Sequence, residues 1–65
     1  MKFTAEQRRF MESIGLAFNF DRPTDDQLVL IENAVGDALN ERGLNKDYQP
    51  NATGRLCYSI LDLLA

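Results

Sequence analysis

The chain has no histidine, only one cysteine (Cys57) and fewer basic than acidic residues. Each scarcity removes a class of function. Without histidine there is no ready general base near neutral pH, and a zinc site would need an unusual all-carboxylate shell. A lone cysteine forbids an internal disulfide and fits a reducing cytoplasm, which is where the sequence places the chain. Seven basic against ten acidic residues leave a net charge of −3. That balance is opposite to the cationic excess of nucleic-acid binders and argues against DNA or RNA as a direct ligand. Long hydrophobic stretches are absent too: the longest uninterrupted apolar run is Leu28 to Ile31, far below the ~20 residues that span a bilayer. Lys2 resembles the start of a signal peptide, but Arg8, Arg9 and Glu12 break the segment before an apolar stretch can develop. No export signal and no membrane segment are expected.

What is present is an ordinary globular balance, 45% hydrophobic and 26% charged over 65 residues, which argues for a folded chain over a disordered one. This length allows one domain with one small core. No internal repeat and no low-complexity segment interrupts it.

Three amphipathic segments account for most of the sequence. Thr4-Ala-Glu-Gln7 reads as a capping box opening a helix, and Phe10, Met11, Ile14, Ala17 and Phe18 follow at helical spacing. The first helix is expected over residues 5–17, ended by Asn19, Asp21, Arg22 and Pro23. Thr24 with Gln27 repeats the capping box, while Asp25 and Asp26 set negative charge against the positive helix terminus. Leu28, Ile31, Val35, Ala38 and Leu39 form the stripe of this second helix, expected over 25–42. Gly43 is expected to end it in a left-handed conformation, with Leu44 packing back on Leu39. After a polar loop, Asn51 or Thr53 can cap a third helix over 52–64, with Leu56, Cys57, Ile60, Leu63 and Leu64 on one side. Alternation with a period of two is missing, so the fold expected is all-α: a three-helix bundle with Phe10, Ile14, Leu28, Ile31, Val35, Leu39, Leu56 and Ile60 in its core.

The reactive inventory is thin. Cys57 falls inside the apolar stripe with no base to activate it, and reads as packing. Asp25 and Asp26 point about 100° apart on a helix, Asp37 and Glu41 lack a third ligand, and the loop from Asn45 to Asn51 lacks the order of a calcium-binding loop. Asn51-Ala52-Thr53 matches a glycosylation sequon but serves better as a helix cap. No catalytic residue, no metal site and no cofactor is assigned.

What remains is apolar surface that the stripes do not use. Val29 and Leu30 turn away from the Leu28, Ile31, Val35 face, Tyr58 turns away from Leu56 and Ile60, and Leu16 lies nearly opposite Phe10 and Ile14. Val29, Leu30 and Tyr58 are the interface candidates, unless Phe18 and Phe20 fold over the first two. The function expected is a non-enzymatic protein-interaction module of adaptor or inhibitor type, its partner another protein or a second copy of the chain. Two alternatives stay open. One is a small helix-turn-helix-like transcription regulator, in which the third helix would show DNA Arg55, Tyr58, Ser59 and Asp62. The other is an acidic inhibitor of a nucleic-acid-binding protein.

Overall fold

The computed structural model describes residues 2–64. Its elements are α1 (Ala5–Ser13), α2 (Asp25–Arg42) and α3 (Ala52–Leu64), which make a small all-α fold of the three-helix type. Among the described residues the only extended pairing is an isolated bridge between Leu44 and Pro50. No helix among them is long and apolar enough to cross a membrane.

Both capping boxes form. Thr4 accepts from the Gln7 amide while the Gln7 side chain accepts from the Thr4 amide, and Thr24 and Gln27 repeat the exchange at α2. Two orphan amides of each first turn are thereby satisfied.

α1 is shorter than its apolar spacing suggests. It stops at Ser13 because Gly15 takes φ +95°, a conformation glycine adopts without steric cost. The Leu16 amide then donates to the Met11 carbonyl and the Gly15 amide to that of Glu12, the two bonds of a Schellman motif. Leu16 leaves the helix at this point and is buried with Met11 in the core. Its helical-wheel position therefore has no meaning, and it is not a surface residue. Ala17, expected in the stripe, is exposed.

The opposite correction applies to Gly43. It sits at φ −91°, so the left-handed ending expected there is absent. Space, and not handedness, demands the glycine: a Cβ on Gly43 would lie 2.8 Å from the Leu39 side chain.

α2 and α3 form the principal helix pair. Ile31 and Val35 of α2 meet Cys57 and Ile60 of α3 in a core where all four are fully buried. α1 joins through side chains: Met11 is fully buried, and Gln7 reaches across to Ser59 with a 3.0 Å hydrogen bond. Phe3 and Phe20 close the end of the core as an edge-to-face pair with centroids 6.2 Å apart, and Phe18 packs on Phe20 at 4.9 Å. Phe10, Ile14, Leu39 and Leu56, expected at the centre, lie partly buried around it, and Leu28, also expected there, is only half-buried. Leu63 is 40% exposed, while Leu61, outside the expected stripe, packs on the core.

Candidate functional site

The four-residue apolar run at the start of α2 is divided by the helix. Ile31 is fully buried and Leu28 half-buried, so the two residues between them turn outward. Val29 is 55% and Leu30 53% exposed; of the phenylalanines that could have covered them, Phe20 packs on Phe3 and Phe18 on Phe20. The pair is about 100° apart around the helix axis, with Asp26 and Asn33 on the surface between.

Charge surrounds this pair unevenly. Asp25, Asp26, Glu32, Asp37 and Glu41 all lie exposed on α2, and Arg42 is its one cation. Five carboxylates and one guanidinium give the helix a net −4 against −3 for the whole chain, so everything outside α2 sums to +1. Asp25 and Asp26 oppose the positive helix terminus and thereby stabilise it. Glu32, Asp37 and Glu41 lie beyond the first turn, and no ion pair neutralises them among the described residues.

Tyr58 is 46% exposed on α3. Among the described residues no ring contact or hydrogen bond joins it to α2. Its neighbour Ser59, expected outward, is partly buried: the hydroxyl accepts from Gln7 Nε2 and donates to the Leu56 carbonyl at 2.6 Å.

A second exposed aromatic lies where helical periodicity gives no signal. Tyr48 is 80% exposed in the turn after α2, at φ 64°. The Tyr48 amide donates to the Asn45 carbonyl and the Asn45 amide to that of Gln49, a tight turn closed by one left-handed residue. Asp47 Oδ1 accepts from the Gln49 amide and the Leu44–Pro50 bridge closes the base. A tyrosine in an otherwise polar loop is the signal that could have marked it in the sequence.

An open groove of ≈ 460 Å³ runs between α1 and α3, lined by Glu6, Ala52, Thr53, Arg55, Leu56 and Ser59. Arg55 Nη1 also reaches the Pro50 carbonyl at 3.4 Å, and Glu6 faces a cleft without any activated partner. Cys57 is fully buried, and burial holds its thiol above the ordinary value of 9.0 against the opposing charge of Arg42. It is neutral and shielded at physiological pH. No group of three or more His, Cys, Asp or Glu side chains among the described residues is placed to hold a metal ion. Comparison with known protein families, with characterised proteins and with solved structures finds no match for this chain.

Proposed function

We propose that this chain is a non-enzymatic protein-interaction module of adaptor or inhibitor type. One observation carries the reading: Val29 and Leu30 stand side by side and half-exposed on a helix whose opposite side already fills the core. Covering the exposed half of each side chain is worth about half of the roughly 1.5–3 kcal/mol that full burial brings. In so small a domain, leaving two uncovered forgoes a sizeable part of the total stability. A partner that covers them recovers it. The shielded Cys57 thiol suits work in a reducing cytoplasm.

The test is a Val29→Asp, Leu30→Asp double variant, with circular dichroism confirming that it remains folded. Capture from the native cell extract should lose the partner retained by the wild type. A folded double variant that captures the same partner equally well would refute the assignment.

A further inference from the structure

We infer that the occupant of the outer face of α2 is a protein surface that is cationic around an apolar pocket, and is neither a second copy of this chain nor a nucleic acid. The inference rests on the interaction reading above and adds the chemistry of the partner. Two features of α2 combine to specify it. Val29 and Leu30 supply half-exposed apolar contact, and the exposed carboxylates of Asp26, Asp37 and Glu41 fall on the same side of the helix.

The charge decides between occupants. α2 alone holds more negative charge than the whole molecule, because the remaining residues are slightly positive in sum. A two-fold dimer through this face would set the patch against itself, bringing two sets of unpaired carboxylates together. Like-charge juxtaposition is the usual means by which an interface rejects a wrong partner. Nucleic acid is rejected by the same field. A basic surface gains instead, both in encounter rate and in final pairing, and an apolar pocket at its centre takes the side chains that water now covers. From Asp26 to Asp37 the face is about 16 Å long, a stretch that one partner helix of five turns covers completely.

Two synthetic amphipathic helical peptides test this, about 18 residues long, with one shared leucine face and either lysine or glutamate on the other. Each is titrated into the isotopically labelled wild type and followed by amide chemical shifts. The leucine–lysine peptide should shift α2 around Val29, Leu30, Asn33 and Asp37, with binding that weakens as salt rises. Val29→Ser with Leu30→Ser, and separately Asp37→Asn with Glu41→Gln, should each lower affinity roughly tenfold. Equal binding of the leucine–glutamate peptide, shifts centred on Tyr58 or on the α1–α3 groove, or no binding of the lysine peptide would overturn the inference. So would a wild type that sediments as a dimer and becomes monomeric with Val29→Ser and Leu30→Ser. The two failures are separable. If the lysine peptide does not bind while capture of the native partner still requires Val29 and Leu30, the charge assignment falls and the interaction reading stands.

Discussion

Gly54 packs so closely on Gly43 that a Cβ on Gly54 would overlap the Gly43 carbonyl oxygen and come within 3.1 Å of Pro50 Cβ. Asn51 locks the same junction. Its amide donates to the Gly43 carbonyl, its Nδ2 to the Arg42 carbonyl, and its Oδ1 accepts from the Gly54 amide at 2.8 Å. One residue thus closes the C-terminus of α2 and caps α3. Alanine is favoured over glycine inside a helix by about 1 kcal/mol, so propensity alone would make Gly54→Ala stabilising. The overlap is with backbone and cannot be relieved by rotating a side chain, and overpacking of this kind costs about 1–3 kcal/mol or more. Gly54→Ala should therefore lower the melting temperature. A variant that melts at or above the wild type would mean that the two helices do not meet at this point.

Two other glycines should respond with opposite signs. At Gly15 the space is open but φ is +95°, so alanine is strained by roughly 1–2 kcal/mol and the end of α1 loosens. At Gly36 a Cβ also meets nothing within 4 Å, and the residue lies inside α2. Gly36→Ala should stabilise by about 0.4–1 kcal/mol through helix propensity and a less flexible unfolded chain. Thermal melts of the two single variants provide the comparison, and equal shifts in the same direction would contradict the backbone assignment.

Gln7 links local to tertiary structure, since its Oε1 completes the α1 capping box while its Nε2 bonds Ser59. The side chain is buried, unlike that of Gln27, which performs only the capping function at α2. Gln7→Met should cost about 1–2 kcal/mol, the sum of two modest net hydrogen bonds. Ser59→Ala should cost less, and a double-mutant cycle between the two should return a coupling of about 0.5 kcal/mol or more. Strict additivity would show that α1 is held without this contact.

The bounds of α2 were legible in the sequence because the Thr24–Gln27 box, the acidic first turn, the apolar stripe and Arg42 at the end agreed, although the conformation of Gly43 was not. α3 and the start of α1 were legible for the same reason. The end of α1 was not, since a glycine can mark either a left-handed turn or a close approach. Gly15 does the first and Gly43 the second, where a Cβ would meet Leu39, and spacing along the sequence does not choose between them. The burial of Phe3, Leu16 and Phe20 was equally hidden, because all three lie outside the helices and depend on how the ends and connector wrap. Outward placement of Val29, Leu30 and Tyr58 follows from helical geometry, whereas Tyr48 sits in a turn with no period to read.

Tyr48 occupies a left-handed position that glycine would fill without strain, and at 80% exposure its ring gains little from the rest of the chain. Tyr48→Gly should accordingly raise stability by about 1 kcal/mol, unlike most substitutions of an aromatic residue. A lower melting temperature would show that the ring supports the fold in a way that its exposure conceals.

Cys57 gives the fold a pH dependence on the alkaline side. Burial raises its thiol pKa above 9.0, with Arg42 offsetting part of the effect. Below that pH both folded and unfolded thiols are neutral, and the shift contributes nothing to the slope of stability with pH. Above it the unfolded thiol ionises while the buried one resists, so the unfolded state gains and stability falls as pH climbs toward the folded pKa. The measurement is the unfolding free energy of wild type and Cys57→Ala at a series of pH values from about neutral to 10. The wild type should lead by a constant margin up to the region of 9.0 and then lose part of it. A companion experiment follows the reaction of the thiol with a disulfide reagent at neutral pH. Because the sulfur is fully buried, the reaction should be slow and should accelerate with denaturant as the domain opens. Immediate labelling of the native protein, or a margin that does not change across the alkaline range, would place Cys57 outside the core between α2 and α3.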